Sequence, residues 1–193
     1  MKKSLIAFGF AVFLAATTAS AQSTTWQLDP THSHAQFSIR HLGISNVQGE
    51  FTQLTGAVQL DDQDISKSTV NATIDVNSLD TRVQNRDNDL KSDHFFDIAK
   101  YPTITFQTTK IWSTGEGTAK MTGNLTLHGV TKEATFDVTG PTKVIRVMGT
   151  RRGASATTKM NRQDFGMVFM SNAMPGGDQM IGAITLDIEM VKK

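Results

Sequence analysis

Apolar and polar residues alternate with a period of two along most of the chain, and this restricts the fold more than any other feature. In HAQFSIRH, Ala35, Phe37, Ile39 and His41 share one face and Gln36, Ser38 and Arg40 the other. STVNATIDVNS alternates strictly, with Val70, Ala72, Ile74 and Val76 set against Asn71, Thr73, Asp75 and Asn77. TITFQTT, AKMTGNLTLHG, EATFDVTG, GASATTKM and ITLDIEM repeat the pattern. Successive side chains of a strand point to opposite faces, so each run reads as a strand with one buried face. A further run from Val47 to Leu60 carries Gly49 and Gly56, which suit bulges or sharp bends. Together these predict about eight short antiparallel strands.

One stretch breaks the alternation. DTRVQNRDNDLKSDHFFD opens with a candidate cap at Asp80 or Thr81 and predicts about two to three helical turns that end before Tyr101-Pro102. A second irregular stretch, NRQDFGMVFMSNAMPGGDQ, separates the last two strands and turns at Pro175-Gly176-Gly177. The expected fold class is all-β, a barrel or sandwich with one short helical insertion. An eight-stranded barrel has room either for a packed core or for one small ligand, and pattern alone leaves both open.

The N-terminus reads as a segment apart. Two lysines, an apolar run from Leu5 to Ala16 and the triplet Ala19-Ser20-Ala21 form a secretory signal peptide, residues 1–21, removed before Gln22. The apolar run is shorter than the roughly 20 residues a membrane span needs, so the expectation is a periplasmic protein without a transmembrane segment, residues 22–193 forming one domain. The chain has no cysteine, so its stability rests on an ordinary hydrophobic core. Without Lys2 and Lys3 the remaining 17 basic and 18 acidic residues nearly cancel, which gives no broad surface for nucleic acid.

Chemistry-bearing motifs are few. His32 and His34 in DPTHSHAQ have the spacing of a metal pair, but parity puts them on the polar face while His41 falls on the apolar one. His94 and His128 are too distant in sequence to supply an obvious third ligand, so no metal site is assigned. Thr31, His32 and Ser33 read instead as the polar beginning of a strand at a barrel end. His41, closing an apolar stripe, reads either as a core histidine or as a contact for a ligand's polar head. Met160, Met167, Met170, Met174 and Met180 cluster near the C-terminus. Soft thioethers suit Cu(I), and they equally suit a pliable apolar wall interleaved with Phe165 and Phe169, the reading favoured here. No nucleophile elbow, HExxH helix or phosphate loop is present, so no catalytic residue and no cofactor is expected.

Four ordered motifs, LDPTHSHAQFSIRHLGISNVQGEF, LDTRVQNRDNDLKSDHFFDIAKYPTITF, GNLTLHGVTKEATF and NRQDFGM, resemble those of the YceI-like family of exported bacterial polyisoprenoid-binding proteins. The resemblance implies an eight-stranded antiparallel lipocalin-like barrel whose inward faces line an elongated apolar channel for a long-chain amphiphile. Homodimers occur among such relatives. The family's Arg-Asp-x-His-Leu appears here as Arg86-Asp87-Asn88-Asp89-Leu90, and a carboxylate at Asp89 disfavours an anionic head group. With that frame, parity nominates Phe37, Ile39, Ile74, Val76, Ile104, Phe106, Leu125, Leu127, Phe136, Ile184 and Leu186 as channel lining. His41, Phe95, Phe96, Phe165 and Met167 are nominated for the mouth or lid. The expected function is a non-enzymatic carrier of isoprenoid lipid. A stress-related scavenger of hydrophobic toxins and a copper-binding protein are the alternatives.

Overall fold

The structure is a computed structural model that describes residues 23–170 and 181–193. The expected signal peptide, the Pro175-Gly176-Gly177 turn, Met174 and Met180 lie outside the described residues. Twelve strand segments are present: β1 Thr24–Leu28, β2 His34–His41, β3 Ser45–Phe51, β4 Leu54–Leu60, β5 Thr69–Asp75, β6 Leu79–Asp80, β7 Thr103–Gly115, β8 Thr118–Leu127, β9 Val130–Thr139, β10 Ile145–Arg146, β11 Thr150–Asn161 and β12 Ile181–Lys192. They make a closed eight-stranded antiparallel barrel, because three of the barrel's long strands are broken in two and the two-residue β10 is a side segment paired only with β11. Residues 29–33 interrupt β1 and β2, residues 52–53 interrupt β3 and β4, and a 3₁₀ turn at Val76–Ser78 interrupts β5 and β6.

Closure falls on β12. Its C-terminal residues pair with β1, Ala183–Asp187 pair with β2, and its other edge pairs with β11 from Arg151↔Val191 to Asn161↔Ile181. The weak point of the ring is β9 against β11, whose register covers only Ser155↔Thr139 to Thr157↔Asp137. Beyond it the two strands share one side-chain bond, Thr158 Oγ1 to the Thr135 carbonyl at 2.8 Å.

The three breaks sit side by side and are stitched laterally. Ser33 is fully buried, donates to the Glu189 carbonyl at 3.0 Å and accepts from the Glu189 amide at 3.1 Å. Ser78 receives the Thr52 amide at its carbonyl and the Gln53 amide at its hydroxyl. Buried backbone groups freed by a strand break must find such partners. Asp29 adds a charged tie across the first break: its carboxylate accepts from the Thr31 amide at 2.9 Å, the Thr31 hydroxyl at 2.6 Å and Arg151 at 2.6 Å, with His32 Nδ1 at 3.0 Å. Arg151 also holds Glu189. The Thr31–Ser33 segment therefore lies at a bend partway along the first long strand, where His32 and His34 do not share one continuous strand. The expectation of a barrel-end position is corrected.

Side chains on the two halves differ in how they fill the interior. Around β1 the barrel is solid, with Trp26, Leu28, Leu54, Val58, Leu60 and Met190 buried together, each large apolar side chain contributing about 1.5–3 kcal/mol. Past the bend belt the interior is hollow. Helix α1, Gln84–Lys91, lies across that end. Neither Asp80 nor Thr81 caps it as expected; Val83 holds the cap position with no side-chain bond, while Asp80 bonds the Arg82 amide in a preceding turn.

Two predictions follow from this packing. A Cβ at Gly56 would lie 2.3 Å from the Asn71 carbonyl oxygen, a backbone atom with no freedom to retreat. Gly56→Ala is expected to cost about 1–3 kcal/mol of stability by urea denaturation. Hydrogen bonds from Thr31 first, then His32 and Arg151, hold the Asp29 carboxyl well below its ordinary value of 3.8. A depressed folded-state pKa stabilises the fold above the unfolded value, and that contribution drains away as pH falls through the folded one. Asp29→Asn should destabilise the protein at neutral pH and flatten the acid limb of its stability profile below about pH 4, measured by thermal melts across pH.

Candidate functional site

The hollow half encloses a cavity of about 650 Å³. Its walls are inward residues of the alternating strands: Phe37, Ile39 and His41 on β2, Ile74 on β5, Ile104 and Phe106 on β7, Leu125 and Leu127 on β8, Phe136 on β9, Ile184 and Leu186 on β12. Phe95, Phe96 and Met167 join them from the loops at the open end. Alternation places these side chains together because every strand of a barrel sends every second residue inward. Leu54 and Ala72 form the floor, where the cavity meets the packed half.

Two expected lining residues lie elsewhere. Val76 is buried but off the cavity wall, because β5 ends at Asp75 and the 3₁₀ turn carries Val76 out of strand alternation into the core. Phe165 also belongs to the packed core, turned there by the 3₁₀ turn Arg162–Phe165; its carbonyl accepts His128 Nδ1 at 3.1 Å. It anchors the loop that follows and does not form a lid. The expectation that all inward faces line a channel is narrowed too, since Trp26, Val58, Ile111, Met121 and Met190 fill the other half.

Ala35, Gln36, Val47, Phe51, Leu90, Thr105, Met160 and Gly182 complete the wall, together with Leu42, Val83, Phe169 and Met170 at the mouth. Parity within Val47–Leu60 and within β11 carries a signal for Val47, Phe51 and Met160. The mouth residues stand on turns and loops, where no periodicity exists to reveal them. Met160, Met167 and Met170 are all wall residues.

Polar groups gather at the open end. Arg40, His41, Asn85, Arg86, Asp89 and Arg162 all border the cavity. Arg86 donates through Nε to the Thr81 hydroxyl and through Nη2 to the Thr81 carbonyl, each at 2.7 Å. The buried Asp87 carboxylate accepts from the Thr81 amide at 2.9 Å and the Thr81 hydroxyl at 2.5 Å. Thr81 is thus gripped from both residues of the Arg-Asp pair. An eight-residue helix is marginal alone, and α1 carries few apolar residues; this clamp fixes it over the mouth.

Arg162 organises the other lip. It donates to the carbonyls of Met167 at 2.8 Å and Phe169, and its guanidinium lies 5.2 Å from the Phe95 ring centre. Burial pushes its pKa down from the usual value. Phe169 in turn stacks on His94 at 4.1 Å and meets Phe95 edge-on at 5.5 Å. Asp89 engages His94 at 3.2 Å. Three guanidiniums border the cavity against this one partnered carboxylate, so the charge argument drawn from Asp89 alone is overturned.

Among the described residues, Asp29, His32 and Glu189 bring potential metal-ligand atoms within 4.8 Å of one another. Arg151 already supplies positive charge to both carboxylates. No helix among the described residues is long and apolar enough to cross a membrane.

Comparison with known proteins agrees with this architecture. Residues 26–191 match the YceI-like domain. A UPF0312 protein of Vibrio parahaemolyticus serotype O3:K6 is 37% identical over the whole of both chains. Protein YceI of Salmonella agona is 38% identical, covering 86% of this chain and 87% of its own. The crystal structure of the Campylobacter jejuni YceI protein superposes with a TM-score of 0.66 at 32% identity, covering 80% of this chain and 90% of that one. A structure described as a polyisoprenoid-binding domain from Saccharophagus degradans shares the fold at 14% identity, with a TM-score of 0.62 over 88% of this chain and 99% of that one. The closed barrel, its hollow half and the sequence match across nearly all of its strands place this chain in the YceI-like family.

Proposed function

We propose that this protein is a periplasmic carrier that holds a long-chain isoprenoid, or a similar amphiphilic lipid, in the hollow half of its barrel without transforming it. The observation that carries the reading is the composition of the cavity: aromatic and aliphatic side chains make up most of its lining, and its charged side chains, Arg40, Arg86, Asp89 and Arg162, stand on the segments at its open end. That gradient matches a molecule with a long apolar tail and a polar end. At about 30 Å³ per water-sized group, the volume takes on the order of twenty carbons. Each buried methylene contributes roughly 0.8 kcal/mol, so the tail alone supplies strong binding and the mouth contributes orientation. The related domain described as polyisoprenoid-binding supports this chemistry by analogy. Export rests on the signal-peptide pattern of residues 1–21.

A scavenger of hydrophobic toxins would use the same cavity. Competition between such a compound and a prenyl lipid separates the two roles.

Native mass spectrometry of the protein purified from the periplasm, followed by organic extraction, is expected to yield an unmodified prenyl lipid. A barrel that releases no lipid and takes up none when offered defeats the proposal. Leu125→Trp with Ile184→Trp fills the cavity from two facing walls with apolar volume. The variant should fold, with a thermal midpoint near that of the parent, yet retain little lipid.

A further inference from the structure

We propose that the rim of the cavity mouth is a docking surface for a phospholipid bilayer. The proposal rests on the reading of the cavity as a lipid site and adds the surface by which the lipid enters and leaves. Nine large hydrophobic side chains are exposed among the described residues; of these Leu42, Val83, Phe169 and Met170 line the cavity at its open end, and Ile44 and Val168 stand beside them in sequence. These six come from three separate segments, the β2–β3 hairpin tip, the residue before α1, and the loop after the Arg162–Phe165 turn. Solvent exposure reaches 75% at Ile44 and 59% at Val168. An apolar cluster of this kind, assembled at one place from distant segments, marks an interaction surface.

Continuity with the cavity identifies the partner. Leu42, Val83, Phe169 and Met170 are exposed on the outside and also line the cavity. Apolar surface therefore runs from the interior to the rim on three segments, between the polar groups that also border the opening. A protein partner has no need of such a path. A lipid tail does, because each methylene that crosses open water forfeits the hydrophobic contribution that holds it in either compartment. With the rim seated about 5–10 Å into the head-group boundary, the tail passes from acyl chains to cavity wall through apolar surroundings. The flanking charges fit the same partner: exposed Arg40 and Arg82 adjoin the two apolar segments at Leu42 and Val83, and reach the level of lipid phosphates. Asp89, the carboxylate at this mouth, is engaged by His94.

Ile44 and Val168 allow docking to be tested apart from cargo binding, since both are exposed and neither lines the cavity. The full chain, without its leader, is mixed with vesicles of phosphatidylethanolamine and phosphatidylglycerol and separated by flotation. The parent protein is expected to float with the vesicles. Ile44→Asp with Val168→Asp should lower that partitioning at least about tenfold, while extraction and mass spectrometry show the cavity still loaded. A control, Val147→Asp with Met148→Asp, alters the exposed apolar hairpin tip at the opposite end and should leave flotation unchanged. Three results overturn the proposal: a loaded parent protein that does not float, flotation that survives the rim variant, or flotation lost only in the control. Self-association of the parent that the rim variant abolishes, with no flotation, overturns it in favour of a second copy of this chain. Flotation of a protein that carries no lipid leaves docking standing and defeats the carrier reading alone.

Discussion

Strand β12 is the seam on which the molecule depends. Its long ladder with β11 supplies continuous pairing down one edge, and its other edge is shared between β1 and β2. An open sheet of this size would expose unpaired edges, and closure at β12 removes them. The bend at residues 29–33 follows from that sharing: the first long strand turns beside Glu189, and Ser33, Asp29 and Arg151 satisfy what the turn exposes. The DPTHSH segment is conspicuous in the sequence because a buried strand break needs short polar side chains that bond backbone. Its histidines accompany that structural task, and His32 is one partner of Asp29 among several.

One half is solid and the other hollow. Where β12 pairs with β1, facing strands bring Trp26, Leu60 and Met190 into contact. Toward the other end the β9–β11 ladder lapses after Asp137↔Thr157, and the cavity lies in that half. The gap is bordered by the 3₁₀ turn at Arg162–Phe165, tied to β9 by Lys132 with Asp164 at 3.8 Å and to His128 by the Phe165 carbonyl. The cavity's apolar lining is a consequence of strand parity.

That division sets what is legible in the sequence. Alternation identifies the wall wherever a strand runs straight, so Phe37, Ile104, Phe106, Leu125, Ile184 and their neighbours can be assigned to one inward face without coordinates. It misplaces Val76, because a single 3₁₀ turn ends the strand one residue early, and it misplaces Phe165, because the turn there points the ring into the core. It also missed β1, whose short TTWQL segment holds Trp26 and closes the ring. Bends are set by long-range partners such as Ser33 with Glu189, 156 residues apart, and no local pattern encodes them. The choice between a packed core and a cavity is of the same kind, since it depends on how side chains from distant strands meet.

The mouth is where sequence reasoning has least purchase. Its charged residues look like a solvated helix face in DTRVQNRDNDLK, yet Asp87 is buried and, with Arg86, spends its hydrogen bonds on Thr81. Removing the Asp87 carboxylate would leave the Thr81 amide without its buried partner, at a cost of about 1–3 kcal/mol, and would loosen α1 more than the barrel beneath it. On the opposite lip, Arg162 secures the backbone of Met167 and Phe169, and Phe169 reaches across to His94 and Phe95 on the segment after α1. The two lips meet through aromatic contacts between loops, while each is anchored separately to the barrel by an arginine. Arg162 joins these contacts through its guanidinium over the Phe95 ring, so the two lips are held to each other by side chains and not by strand pairing.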